Sequence, residues 1–234
     1  MIQGKSVLVV IPARGGSKRL PRKNCLLLRG KPLIAYSIEA GRQSQYVDEV
    51  LVSTDDNEIA VIAEAYGANV PFLRPPALAT DEATTVDVIC HAIRHYQDEM
   101  QKVFDYVMVL QPTSPLRTAE HVDAALELLI AKQADAVISV CEAEHSPLWA
   151  NVLPDGGSMQ SFLREEIKGK RSQDLPVHYR LNGAIYICDV KRFLQKRDLF
   201  LADNIFAYQM EQARSVDIDT TLDLKLCEIL LESS

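Results

Sequence analysis

The stretch Val7-Leu-Val-Val-Ile-Pro-Ala-Arg-Gly-Gly-Ser-Lys-Arg-Leu-Pro-Arg-Lys23 joins a wholly apolar run to a glycine-bearing turn dense in cations. Val7–Ile11 has no polar position, the pattern of a strand buried on both faces. Arg14, Lys18, Arg19, Arg22 and Lys23 follow it. The first 38 residues carry eight basic side chains and no acidic one, while the whole chain has a net charge of −7, so the other 196 residues carry −15. An acidic protein has no general attraction for anions, so this concentration of cations is local and suits a polyphosphate. The turn is neither a Walker A loop nor a Gly-x-Gly-x-x-Gly turn. Gly15 and Gly16 would let backbone N–H groups approach phosphate oxygens, and Arg14 and Lys23 would neutralise them. A solvated basic loop is the alternative; the position directly after the first strand favours the phosphate grip.

Working outward, strands and helical patterns alternate. Leu33-Ile34 with Ser37-Ile38 and Ala40 have helical spacing, and Val50–Val52 is a strand ending at Ser53-Thr54-Asp55-Asp56. Those residues supply caps for a helix over Ile59–Tyr66, which Gly67 stops. Val70–Leu73 reads as a short strand, and Thr84-Thr85 cap a helix reaching about Gln101. Tyr106–Leu110 is a strand, Ala119–Ala131 a helix, Ala136–Val140 a strand, and Leu181–Ile187 another. This order predicts an α/β fold, a mostly parallel sheet with helices on both faces. Ligands then bind beyond the carboxyl ends of the strands, which directs attention to the segments that follow them. The charged, core-poor stretch 145–180 is expected to be an insertion in one domain spanning 1–234.

Composition narrows the class. The acidic balance argues against nucleic acid and against an anionic membrane surface. No apolar run approaches the roughly 18–20 residues that span a bilayer. The N-terminal apolar stretch ends at Pro12-Ala13-Arg14 without a leader pattern, and the five scattered cysteines form no Cys-x-x-Cys pair. A cytoplasmic protein with reduced cysteines is expected.

Two more segments carry candidate chemistry. Leu110-Gln-Pro-Thr-Ser-Pro-Leu-Arg117 is a stiff loop after a core strand that would hold Gln111 and Ser114 at the sheet's end, though prolines with Thr and Ser also make plain turns. In Val216-Asp-Ile-Asp219, read as a strand, both carboxylates project to one side. Such a pair repels unless a cation lies between, and Mg²⁺ takes such oxygen ligands. The other reading makes Asp219 the cap of a helix starting near Thr220, with Asp217 merely exposed. His91 and His95 are one helical turn apart, but without an acidic partner they read as packing residues. His145 would sit near the mouth of the site.

Together these segments resemble the acylneuraminate cytidylyltransferase family, which makes CMP-activated nonulosonic acids. Six pieces match in the family's order: Ile11–Lys18 with Lys23-Asn24, Ser53-Thr54-Asp55, Leu73-Arg74-Pro75, Leu110–Arg117, Asn182-Gly-Ala-Ile-Tyr186 and Ser215–Asp219. The resemblance implies a nucleotidyltransferase of Rossmann-like fold joining CTP to a nine-carbon 2-keto sugar acid, with Mg²⁺ and release of pyrophosphate. It implies that Arg14, Ser17 and Lys23 hold the triphosphate, that Asn24, Arg74 and Thr85 meet the cytidine, and that Gln111 meets the sugar acid. Arg171 and Tyr186 would bind the sugar and its carboxylate. Asp217 and Asp219 would bind Mg²⁺, with Asp217 also helping to deprotonate the attacking hydroxyl. It further implies a homodimer, with the 145–180 insertion reaching into the partner.

The chain departs from the pattern at Trp149, where some sialic acid enzymes are expected to carry a lysine, and around Phe200, where an adjacent aromatic pair is expected. A less polar pocket would favour a 9-deoxy acid such as legionaminic acid over N-acetylneuraminic acid. The rivals are a 3-deoxy-manno-octulosonate cytidylyltransferase and a catalytically dead nucleotide-sensing homologue. The first is disfavoured because a Gln-Gly-Asp-type stretch is expected where Gln111–Pro115 stands, the second because Arg14, Lys23 and both aspartates are present.

Overall fold

Val7–Pro12 forms strand β1, and its alternate side chains feed two different cores. In the computed structural model, which describes residues 1–232, Val7, Val9 and Ile11 pack on one side and Leu8 and Val10 on the other, all fully buried. Full burial of such side chains contributes about 1.5–3 kcal/mol each, so this strand anchors the fold.

From β1 the chain runs through the short strands β2 (Leu27–Leu28) and β3 (Lys31–Pro32), helix α1 (Leu33–Arg42), β4 (Glu49–Ser53) and α2 (Asn57–Ala65). Then follow α3 (Thr85–Asp98), β5 (Tyr106–Val109), α4 (Ala119–Ala131) and β6 (Ala136–Glu142). The last part holds β7 (Tyr179–Asp189), α5 (Val190–Lys196), β8 (Ile205–Met210) and α6 (Thr221–Glu232). Six strands make one sheet in the order β4-β1-β5-β7-β6-β8. β1 is parallel to β4 and β5, and β6 to β8, while β7 runs antiparallel to both its neighbours. Helices α1, α2 and α4 cover one face and α3 and α5 the other. The expected α/β fold with helices on both faces is thus present.

Caps fall where the sequence places them. Asp56 accepts from the N–H groups of Glu58 and Ile59 at 2.9 and 3.1 Å, and Thr84 from that of Asp87 at 3.1 Å. His91 and His95 both pack edge-on against Phe72, the packing role expected of them.

Four features differ from expectation. Val70–Leu73 is not a strand: only Asn69 and Leu73 make bridges, because Pro71 removes a ladder donor between them. Val216–Asp219 is extended but pairs with no strand; Ile218 N–H instead donates to the Thr113 carbonyl at 2.8 Å. β8 was not expected. β7 is antiparallel because the chain between β6 and β7 contains no α-helix to carry it across a sheet face. That stretch, the expected insertion, holds only three short 3₁₀ turns, and exposes Val152, Leu153, Met159 and Val177.

Candidate active site

A cavity of about 350 Å³ opens beyond the carboxyl ends of β1, β4 and β5. Helices change from one sheet face to the other here, which leaves the crevice where open α/β sheets bind ligands. Arg14, Ser17, Lys23 and Asn24 reach it from the turn after β1, Arg74 and Thr85 from the segment after α2, and Gln111 from the loop after β5. Seven expected site residues, separated by up to 97 positions in the chain, therefore share one wall.

The basic turn is built by its neighbours. Buried Asn24 donates from Nδ2 to the Arg14 carbonyl at 3.0 Å and closes the turn. Gly15 lies so close to Asp56 that a Cβ would stand 2.7 Å from its Oδ2. Its N–H is already given to Asp55 Oδ1 at 3.0 Å, so it is not a free anion donor as expected. Nor are the cations bare. Arg14 and Lys18 share Asp81, Arg19 and Lys23 share Asp219, and Arg22 binds Asp56 and Glu58. Five carboxylates counting Asp55 balance five cations, so the local charge is close to neutral before any ligand arrives.

Lys23 is the most sheltered of these cations, with 13% of its side chain exposed. Its Nζ donates to the Ile218 carbonyl at 2.8 Å and to Asp219 Oδ1 at 3.0 Å, tying the turn to the carboxylate segment. Arg74 is buried and binds Ser53 through both its hydroxyl and carbonyl; burial lowers its pKa, and the charge of Asp55 opposes that. Thr85 opens α3 directly after its cap.

Gln111 is held from behind. Its carbonyl accepts from Ser37 Oγ at 3.1 Å and from Arg117 Nη2 at 3.2 Å. Arg117 is buried with no carboxylate beside it, binds the Ala184 carbonyl and Ser37 Oγ as well, and burial pushes its pKa down to about 9. The Gln111 side chain is flanked by Gly183, whose φ is +74°; a Cβ there would stand 2.7 Å from Gln111 Oε1. The dihedral calls for glycine, and a Cβ would push the Gln111 amide from its place.

Gly183 lies in a bulge of β7. The register with β6 shifts between Ile138 and Val140, so that Asn182–Ile185 stand against Ser139 alone. Ser139 fills the gap, donating to Asn182 Oδ1 at 2.6 Å and accepting from Ile185 N–H at 2.8 Å. Buried Asn182 then donates to Ser215 Oγ at 2.9 Å, two residues before Asp217. Bulges beside sites re-aim side chains, and this one positions both the Gln111 loop and the carboxylate segment.

Asp217 and Asp219 flank buried Ile218 and point away from it, so the expected alternation holds without the expected strand. Neither caps α6. The N–H groups of Asp219 and Thr220 donate to Asp223 Oδ2 at 3.0 and 2.7 Å, and Asp223 N–H returns to Thr220 Oγ1 at 3.3 Å. The two site carboxylates are pushed apart in acidity. Asp217 is an exposed residue, but loss of water around its carboxyl raises its pKa, with the charge of Asp219 adding to the rise, against a hydrogen bond from Thr113. The hydrogen bond from Lys23 holds Asp219 below the usual range. Among the described residues no third metal-ligating side chain joins them. Two carboxylates suit Mg²⁺ when phosphates and water complete its shell, so the donor set fits.

Four expected residues do not line this cavity: Tyr186, Arg171, Asp217 and Asp219, the last of which meets it only through its ion pair with Lys23. Tyr186 lies in the sheet, its pKa raised by burial and then by the charge of Asp217. Arg171 is exposed on the insertion and paired with Asp174 at 3.0 Å. Asp217 lines a second hollow together with Arg180 and Glu144. Trp149 lines a separate hollow with Met159 and Phe162 inside the insertion, and Phe200 is exposed. Sequence reasoning missed the supporting set of Ser139, Asn182, Ser215 and Arg117, and also Asp81.

A family model described as cytidylyltransferase matches residues 8–224. The chain is 38% identical to the CMP-N,N'-diacetyllegionaminic acid synthase of Legionella pneumophila, over 97% of this chain and 96% of that protein. It is 37% identical to the pseudaminic acid cytidylyltransferase of Campylobacter jejuni, over 95% of both. It is also 37% identical to the N-acylneuraminate cytidylyltransferase of Escherichia coli, over 94% of this chain but 51% of that protein, spanning about half its length. Among solved structures it is similar to a CMP:2-keto-3-deoxy-manno-octonic acid synthetase complexed with CTP, with TM-score 0.70, 21% identity and 97% and 99% of the two chains covered. A 4-diphosphocytidyl-2C-methyl-D-erythritol synthase from Anaerococcus prevotii gives TM-score 0.68 at 14% identity, covering 98% and 100%. These two structural likenesses show the fold alone.

Proposed function

The chain belongs to the cytidylyltransferase family and is a nucleotidyltransferase, and we infer that it transfers the cytidylyl group of CTP to a nonulosonic acid with release of pyrophosphate. The observation that carries this reading is the single cavity shared by the cationic turn, Arg74, Thr85 and Gln111. Cations of the turn together with the polar Asn24, Arg74 and Thr85 in one cavity suit CTP.

In this reading Arg14, Ser17 and Lys23 hold the triphosphate, while Asn24, Arg74 and Thr85 border the cytidine. Gln111 orients the sugar acid with Tyr186 beyond it. The anomeric hydroxyl attacks the α-phosphorus in line; the new P–O bond forms as the bond to pyrophosphate breaks. The hydroxyl proton leaves toward Asp217, which borders the cavity through its hydrogen bond with the cavity-lining Thr113. The protein does no covalent chemistry, so positioning and fixed charge supply the rate. Asp217 and Asp219 would hold Mg²⁺, which would neutralise charge on the phosphates.

The homodimer enters on the insertion. Its exposed Val152, Leu153, Met159 and Val177 lack a core of their own, and a second copy would cover them. Arg171, Trp149 and Phe200 would then approach the partner's cavity. Sedimentation equilibrium is expected to give a dimer, and a monomer after deletion of 150–170; a dimer of unchanged stability after deletion rejects this role for the segment.

The acceptor is a 9-deoxy acid of the legionaminic type in this reading, because Trp149 and the single aromatic Phe200 make the surroundings less polar. Identities of 38%, 37% and 37% do not separate the three acceptor types among the relatives. Steady-state pyrophosphate release with CTP and each acid tests it. We expect kcat/KM for legionaminic acid to exceed that for N-acetylneuraminic acid by about tenfold, the order that one mismatched contact group produces. A preference for N-acetylneuraminic acid overturns the choice of acid, and no release with any nonulosonic acid overturns the activity.

A further inference from the structure

Asp81, like Asp219, puts one oxygen on each of two cations of the turn. Oδ1 lies 2.8 Å from Arg14 Nη1 and Oδ2 lies 2.5 Å from Lys18 Nζ, so one carboxylate spans two cations of the phosphate turn. Arg14 Nη1 also donates to the Thr80 carbonyl at 3.3 Å. An anion with two oxygens between a guanidinium and an ammonium has the charge and reach of a phosphate edge. Asp81 stays ionised there, since Lys18 and then Arg14 hold its pKa below the usual range. It lines the same cavity as Arg14, Lys23 and Gln111.

The other acids around the turn have further duties. Asp55 takes a backbone N–H, Asp56 caps α2, and Asp219 belongs to the carboxylate pair. Asp81 caps no helix and serves no strand. It sits on the stretch from Arg74 to Thr84, which is tied at its start to the end of β4, where Arg74 N–H donates to the Thr54 carbonyl at 2.7 Å. Otherwise it is held by contacts within itself, among them Arg74 Nη1 to the Leu78 carbonyl at 3.4 Å and Ala83 N–H to Thr80 Oγ1 at 3.2 Å. The stretch leads directly into Thr85, which lines the same cavity.

We propose that Asp81 is an internal competitor for the phosphates, occupying Arg14 and Lys18 in the free protein and displaced from them by an incoming polyphosphate. The proposal rests on the reading that this cavity takes the triphosphate of CTP. Its consequence is selectivity by charge. A triphosphate brings enough negative charge to replace one carboxylate on two cations, whereas a ligand with little charge leaves the pairing closed. Displacement also frees the 75–84 stretch at its middle, which couples arrival of the phosphates to the wall that ends at Thr85.

Asp81→Asn keeps the shape and removes the competing charge. Titration calorimetry of the full chain, with CTP, inorganic tripolyphosphate and uncharged cytidine, reads the effect. We expect both polyphosphates to bind about three- to tenfold more tightly in the variant, the range of two exposed ion pairs, and cytidine to bind unchanged. Asp81→Ser removes the same charge with a different shape and is expected to give the same gain. Unchanged or weaker tripolyphosphate binding in both folded variants overturns the proposal. Should the wild-type chain bind tripolyphosphate but not CTP, and the gain still appear, the competitor role stands and the nucleotide reading fails.

Discussion

Replacing Lys23 by alanine lowers cytidylyl transfer by about two to three orders of magnitude, the cost of removing one preorganised charge donor from a transition state. The size follows from where Lys23 sits. It is the most sheltered cation of the turn, and its Nζ bridges to Asp219 and to the Ile218 carbonyl. Charge developing on the leaving pyrophosphate would meet Nζ without the solvent that surrounds Lys18 or Arg19, which are 76% and 74% exposed. The fold survives, because Lys23 lies in none of the buried apolar clusters. Initial rates of pyrophosphate release together with the unfolding midpoint check this. Near-normal turnover in a folded variant removes Lys23 from the reacting centre.

Asp217→Asn has the second large effect. Asparagine keeps the shape and the contact with Thr113 but removes the charge, so turnover is expected to fall about a hundredfold or more, with a higher Mg²⁺ requirement. The wild type also carries a pH signature. Because loss of water around its carboxyl and the charge of Asp219 raise its pKa, Asp217 must lose a proton to bind the metal at pH values where an ordinary carboxylate is already ionised. Apparent Mg²⁺ affinity therefore weakens as pH falls through that raised value, and the variant loses this dependence. Metal titrations of activity across the acid range decide it; an unchanged titration in the variant refutes the assignment.

The parallel half of the fold was legible because β1 and β5 are almost wholly apolar and α2 and α3 carry side-chain caps. Val7–Ile11 is the clearest case: no partner but a sheet covered on both faces could bury it. The other half was harder. Ile205–Met210 alternates Phe206, Tyr208 and Met210 toward one core, so a period of two was present, but as an edge strand it leaves Ala207 and Gln209 exposed, while Ile205 packs on the other core. Val70–Leu73 misled in the opposite way, since Val70 and Phe72 pack without a ladder. The direction of β7 depends on how the chain returns from β6, which residue types do not encode.

At the site, the chain's motifs located the residues that face the cavity and missed those that hold them. Arg14, Asn24, Arg74 and Gln111 are polar residues beside strand ends, where position itself carries information. Asn182, Ser139 and Ser215 lie far apart in sequence and meet only because β7 bulges. Gly183 was the available signal, a glycine inside a strand pattern. The charge of the turn was read correctly in sequence and incompletely in space. The balancing carboxylates come from positions 55 to 81 and from 219, and only the fold brings them to the cations.

The central claim is that this cavity moves the α-phosphoryl group of CTP to a sugar acid. The most direct measurement follows CTP labelled at the α-phosphorus, with and without legionaminic acid, in the presence of Mg²⁺. The account predicts that the label appears in a sugar nucleotide, with one pyrophosphate per molecule formed and almost none released without the acid. Label appearing in free CMP at the same rate with and without the acid, or CTP bound and never turned over, would contradict it.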